Sequence, residues 1–209
     1  MRVFRSLLLP VLLLAIQSHS AQAVQLTVDI DWSATGVTAV PNARLGQSMA
    51  DAGDVNGDGY GDVVVGAYEA GGPTGRAYVF YGSASGISAT PDRDLQPIPG
   101  QSGYFGRSVS GAGDVNGDGY DDVIVGSPNH TNPTSTEGAA MVYLGSESGL
   151  SETHAWIVEG EVLSRQLGYS VAGAGDVNAD GYDDVIVGAW QYSNGEASEG
   201  AAYVFLGSD

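Results

Sequence analysis

The chain has no cysteine and no lysine, and its seven basic residues are all arginine. Without cysteine there is no disulfide framework, no thiolate metal site and no thiol nucleophile. Seven arginines against 25 acidic residues leave a formal charge of −18. Such a surface does not bind nucleic acid, whose phosphates need Lys and Arg, and it is repelled by anionic membranes. It suits divalent cations, basic partners or solubility alone. Long apolar runs are scarce too. The one clear run, Leu7 to Ile16, is too short to span a bilayer.

That run follows Arg2 and Arg5 and precedes Ala21-Gln22-Ala23, a small-x-small cleavage pattern. The three parts together predict a signal peptide over 1–23 and export of the remainder, with no membrane span after cleavage. Loss of Arg2 and Arg5 takes the formal charge to −20. An exported chain without disulfides needs another staple, and a metal is the obvious one.

What the chain does contain is a repeat. "LGQSMADAGDVNGDGYGDVVVGAY" from Leu45 aligns with "FGRSVSGAGDVNGDGYDDVIVGSP" from Phe105 and "LGYSVAGAGDVNADGYDDVIVGAW" from Leu167. The second halves repeat as well, from Gly75, Gly138 and Gly200. The first Asp of the acidic segment stands at 54, 114 and 176, a period of 60 and then 62 residues. Each unit carries a β-branched run ("VVVGA", "VIVGS", "VIVGA") and an aromatic one ("AYVFYG", "AMVYLG", "AYVFLG"), both suited to strands. The small-residue segment before the acidic loop reads as a first, innermost strand. A fourth strand is expected after each "GSxSG" turn, clearest in "HAWIVEG" (154–160) and poorer in "DLQPIPG" (94–100), where Pro97 and Pro99 fit only an edge. No segment of helical length shows a 3.6-residue period. Four strands per roughly 60 residues, repeated, describes propeller blades. A sandwich has no reason to repeat its loops at a fixed period.

The expected organisation is therefore all-β, a partial β-propeller of about three four-stranded blades. A lead-in strand segment (24–44) precedes blades at 45–104, 105–166 and 167–209, the last cut short before its fourth strand. Propellers close with about four to eight blades, so further blades in a longer parent chain, or self-association through the open edges, are expected.

The acidic loops have metal-ligand spacing. They read Asp54-x-Asn56-x-Asp58-Gly59-Tyr60-x-Asp62, Asp114-x-Asn116-x-Asp118-Gly119-Tyr120-x-Asp122 and Asp176-x-Asn178-x-Asp180-Gly181-Tyr182-x-Asp184. Side-chain oxygens at positions one, three, five and nine, with the backbone carbonyl of the Tyr at seven, make a hard oxygen shell suited to Ca²⁺. Mg²⁺ demands a tighter octahedron and keeps its waters. An EF-hand would carry Glu at position twelve, where this chain has Val65, Val125 and Val187. About three Ca²⁺ per chain are expected, with Asp121 pointing away into solvent.

Taken with the flanking Leu45-Gly46, Phe105-Gly106 and Leu167-Gly168 and the closing Gly66-Ala67-Tyr68, Gly126-Ser127-Pro128 and Gly188-Ala189-Trp190, the units resemble FG-GAP repeats. Those repeats build the N-terminal propeller of integrin α subunits and occur in many bacterial exported proteins. The resemblance implies that each loop joins the first two strands of a blade and binds Ca²⁺. Ala179, where the other loops have Gly57 and Gly117, is the chief departure.

An enzyme is harder to find. "GYSVAG" (168–173) imitates a nucleophile elbow, but Ser48, Ser108 and Ser170 share one repeat position and lack a His partner. His130 and His154 are isolated in sequence and read as surface or interface residues. Asn129-His130-Thr131 is a glycosylation sequon. Two functions stay open: an exported module that binds an extracellular protein or glycan, or the accessory propeller of a longer exported hydrolase whose catalytic residues lie elsewhere.

Overall fold

In the computed structural model, residues 32–34, 41–132, 135–160 and 166–209 are described. The signal-peptide segment 1–23 and most of the lead-in lie outside them. The predicted repeat appears as three antiparallel sheets. The first takes β1 (Met49–Gly53), β2 (Asp62–Ala67), β3 (Arg76–Phe80) and β4 (Arg93–Leu95), in that order. The second takes β5 (Ser108–Gly113), β6 (Asp122–Ser127), β9 (Ala139–Tyr143) and β10 (Trp156–Glu159), interrupted by a two-residue hairpin of β7 (Thr131–Asn132) and β8 (Ser135–Thr136). The third takes β11 (Leu167–Gly175), β12 (Asp184–Ala189) and β13 (Ala201–Phe205). No helix occurs among the described residues.

Each sheet is an up-and-down meander. The second and third strands pair one to one, as in Val123↔Tyr143 through Ser127↔Ala139. The first strand ends in a bulge at the same repeat position each time, before Gly53, Gly113 and Gly175. These glycines have φ of 75°, 73° and 67°, a left-handed turn at little steric cost that swings the chain into the acidic loop. The fourth strands are weaker, as expected. β4 has three residues and stops before Pro97, because proline cannot donate to a ladder.

The sheets stack face to face. Side chains on a strand alternate, so β6 sends Val123 and Val125 into a core shared with Val64, Val79 and Leu95 of the first blade, while Ile124 joins Val185 and Val187 of the third. All six residues of β6 are buried for that reason. Where blades touch, backbones come close enough to form parallel bridges, Gly75↔Phe105 and Gly138↔Leu167. In the lead-in, 32–34 carry no strand. Trp32 instead donates through Nε1 to the Ser88 carbonyl at 2.9 Å and packs edge-on against Phe80. Two histidine expectations divide. His154 lies edge-on to Tyr143. His130 is not a surface residue: it is 1 % exposed, with Nε2 at 3.0 Å from Glu159 Oε1 and its backbone packed against Gly103.

Candidate metal centre

Each acidic loop bridges the first and second strands of its blade, β1–β2, β5–β6 and β11–β12. Within a loop the polar side chains first organise the backbone. In the second, Asp114 Oδ1 and Asn116 Oδ1 both accept from the Asp118 amide, at 3.0 and 3.2 Å. Asp114 Oδ2 accepts from Gly119 N at 2.8 Å, and Asp118 Oδ1 from Tyr120 N at 3.0 Å. The first loop repeats this with Asp54, Asn56 and Asp58. The third does so with Asp176, Asn178 and Asp180. Positions one and three are thereby drawn onto the amide of position five, and the carboxylate of position five onto the amide of the Tyr at position seven.

The ninth-position Asp sits deeper. Asp62, Asp122 and Asp184 are buried. Asp122 Oδ2 accepts from Val115 N at 2.9 Å and Oδ1 from Gly145 N at 2.8 Å. Asp62 holds Val55 N and Gly82 N, and Asp184 holds Val177 N and Gly207 N, in the same way. So this carboxylate ties the loop to the turn after the third strand of its own blade. Burial pushes Asp62 up to about 6 and Asp122 up to about 7, with backbone donors offsetting part of the rise. Asp54 and Asp58 push Asp62 further up, as Asp114 and Asp118 do Asp122. A carboxyl raised on folding favours its protonated form, so at neutral pH the ionised site works against stability unless positive charge sits beside it.

Among the described residues, no group of three His, Cys, Asp or Glu side chains is gathered tightly enough to hold a metal as it stands. The loop oxygens are engaged with loop amides. Each carboxylate oxygen keeps a second lone pair, and Asn and a carbonyl add to a donor set of the all-oxygen kind that hard cations take.

One acidic residue behaves otherwise than expected. Asp121 does not point into solvent. Its Oδ2 accepts from the Asp54 amide of the preceding blade at 2.7 Å, and its own amide donates to the Asp54 carbonyl at 3.2 Å. Asp183 repeats this on Asp114, at 3.1 and 3.0 Å. Position eight is thus a clamp between consecutive loops. Direct repeat comparison offers one signal for it, since the first unit has Gly61 there and the later two have Asp. The elbow-like serines are placed structurally: Ser48 Oγ accepts from Val109 N at 2.9 Å, and Ser108 Oγ donates to the Gly168 carbonyl at 3.1 Å.

The opposite end of the blades carries a line of rings. Arg107 lies over Tyr68 and Tyr169, 5.4 and 4.8 Å from their centroids, and donates to Tyr169 Oη at 3.0 Å. Tyr104 flanks Tyr68 and Trp190 flanks Tyr169.

Comparison with known proteins agrees with this architecture. The chain is 35 % identical over 174 residues to integrin alpha-PS2 of Drosophila melanogaster, covering 80 % of this chain and 12 % of that protein. It is 30 % identical over 144 residues to integrin alpha-4 of Xenopus laevis, 66 % of this chain and 14 % of that one. It is 34 % identical over 178 residues to the human phosphatidylinositol-glycan-specific phospholipase D, 79 % of this chain and 21 % of that enzyme. The chain therefore spans about a fifth or less of the length of these relatives. The FG-GAP repeat model matches residues 50–80, 105–144 and 167–205, more than half of the chain and all three blades. This chain belongs to the FG-GAP repeat family.

Proposed function

We propose that the three acidic loops each hold one Ca²⁺, and that the chain is an exported binding module and not a catalyst. The observation that carries the calcium reading is that the buried ninth-position carboxylate, Asp122, closes a loop in which Asp114, Asn116 and Asp118 stand at alternate positions. A cation at that position removes the cost of ionising it. In the second loop Asp114, Asn116, Asp118, the Tyr120 carbonyl and Asp122 would be the ligands. The corresponding residues are Asp54, Asn56, Asp58, Tyr60 and Asp62 in the first, and Asp176, Asn178, Asp180, Tyr182 and Asp184 in the third. The ion supplies fixed positive charge that locks the turn between the first two strands, and the protein supplies the oxygens.

Likeness to integrin α subunits supports an extracellular setting and a protein or glycan partner. The expected leader supports export, and no described helix is long and apolar enough to cross a membrane. The similarity to a phospholipase D keeps a second reading in place, an accessory propeller attached to a hydrolase domain outside this chain. Thermal melts of the purified chain in Ca²⁺ and in chelator test the first reading. Calcium should raise Tm, saturating in the ~10⁻⁴–10⁻³ M range of extracellular modules or below it. Identical melts in chelator and in calcium would reject it.

A further inference from the structure

In a chain with 25 acidic residues and seven arginines, each arginine is expected to find a carboxylate. Of the four arginines among the described residues, Arg44 pairs with Glu69 at 3.3 Å and Arg76 pairs with Asp94. Arg93 is engaged with main-chain carbonyls, those of Leu150 at 2.7 Å, Asp92 at 2.9 Å and Ser148. Arg107 has neither kind of partner. No described carboxylate forms an ion pair with it, and among the described residues one of its N–H donors is engaged, on Tyr169 Oη. Its neighbours are rings. It is half-buried against Tyr68, which follows β2, and Tyr169, on β11.

Blade construction does not call for this arrangement. Arg107 follows Phe105-Gly106, and the same repeat position holds Gln47 in the first blade and Tyr169 in the third. The turn that presents it is common to all three. Arg107 N donates to the Tyr104 carbonyl at 3.0 Å, as Gln47 N does to Arg44 at 3.4 Å and Tyr169 N to Gln166 at 3.2 Å. Tyr68 and Trp190 share a second repeat position, where the second blade has Pro128. The scaffold is therefore repeated, and the side chains on it are particular to each blade. Tyr104 opens its turn at φ 58°, uncommon for a bulky residue, and its ring lies 5.7 Å from that of Tyr68. Trp190 is 50 % exposed, with its ring 5.4 Å from that of Tyr169. A half-exposed tryptophan and a cation without a counter-ion thus meet on one tyrosine.

We propose that Arg107, with Tyr68, Tyr104, Tyr169 and Trp190, is a binding site for a glycan that ends in a single carboxylated sugar, a uronate or a sialate. The proposal rests on the reading of the chain as a binding module and does not need the calcium sites. A guanidinium takes a carboxylate through two parallel N–H···O bonds. The rings already hold the Arg107 side chain, so little rotamer freedom is lost on binding. Aromatic faces pack against the C–H faces of a pyranose, so the flanking rings take the sugar body while Arg107 takes its acid. Net charge limits the ligand to one acid. Glu69 adjoins Tyr68, and Glu196 and Glu199 stand on the β12–β13 connection at the same end of the blades, in a chain at −18. A polyanionic glycan or an acid-rich peptide is repelled along its length. A neutral chain with one terminal carboxylate meets the unpaired cation without that penalty. A neutral sugar leaves the guanidinium unfilled, which discriminates against it.

The test is an array of neutral and acid-terminated glycans probed with the full chain in Ca²⁺, followed by isothermal titration. Sialyllactose and a glucuronate-terminated disaccharide separate the two acids, and lactose and an aspartate-bearing peptide are the comparisons. At least one acidic sugar should bind about tenfold or more tightly than lactose. Arg107→Met should remove that preference. Arg107→Lys should restore part of it, because an ammonium keeps the charge without the fork. Trp190→Ala should weaken the acidic sugar about threefold or more. Thermal melts are read beside each affinity, and the exposed Trp190 keeps the test decisive if Arg107→Met melts early. Acidic sugars bound no better than lactose, or equally well by wild type and Arg107→Met of unchanged melt, would overturn the site. Array signal confined to neutral glycans, or the peptide bound in preference to both acidic sugars, would overturn the acidic-sugar ligand while the binding-module reading stands. A blank array would overturn the site and leave that reading only its protein partner.

Discussion

Replacing Asp121 by Ala removes the acceptor that holds the first loop to the second blade. The Asp121 carboxylate caps the Asp54 amide at 2.7 Å and lies over the Cα of Gly53. Its side chain is half-buried, so solvent does not freely replace it. A hydrogen bond to a charged group contributes about 1.5–3 kcal/mol net, and the orphaned donor adds to the loss. Removing one negative charge from a chain at −18 offsets a little of this. Urea denaturation of Asp121→Ala should thus show a loss of about 2 kcal/mol, and the melt should drop by roughly 3–12 °C for a domain of this size. Asp121→Asn keeps an acceptor and should recover at least half of the loss. Asp183→Ala, whose bond is longer at 3.1 Å, should cost the same or less. Exposed Glu147→Ala is the reference. If Asp121→Ala is no more destabilising than Glu147→Ala, the clamp carries no weight and the loop-to-loop contact is incidental.

Other expectations follow from the same contacts. Asp118→Ala should remove one calcium of three and raise hydrogen exchange mainly in β5, β6 and β9, since repeat units couple chiefly to neighbours; loss of all three ions together would contradict independent loops. Gly126→Ala drives a methyl to 2.0 Å from the Gly168 carbonyl and 2.5 Å from Ser108 Oγ, and should cost on the order of 3 kcal/mol. Gly188→Ala, the same repeat position with only Ser170 near it among the described residues, should stay within about 0.5 kcal/mol of wild type in this chain. Equal costs for the two glycines, measured by denaturant midpoint at constant m, would show that close blade approach is not what those glycines serve.

Much of the fold was legible because the repeat supplies its own alignment. Three copies of a β-branched run, an aromatic run and a glycine-punctuated loop fix strand order within a blade, and the Pro97 and Pro99 pair foretold the shortness of β4. The place of the acidic loops, each between the first two strands of its blade, was readable from the repeat as well. What escaped depends on the neighbouring blade. Asp121 looks in sequence like any acidic residue of the loop, and its direction is set by the Asp54 amide, 67 residues earlier. His130 was misjudged because the second unit's segment between its second and third strands forms a hairpin, β7–β8, with no counterpart strands in the other two units, and nothing in the repeat alignment foretold it. The stacking glycines are visible in sequence as strand glycines at 66, 126 and 188, yet their purpose emerges only once another backbone lies against them.

The central claim is that each acidic loop is a calcium site. Equilibrium dialysis of the purified chain against Ca²⁺, followed by elemental analysis of protein and buffer, tests it without relying on stability or activity. Three calcium ions per chain at saturation, falling to two in Asp118→Ala, is the predicted result. No calcium bound above buffer, or the same count in wild type and Asp118→Ala, would contradict it.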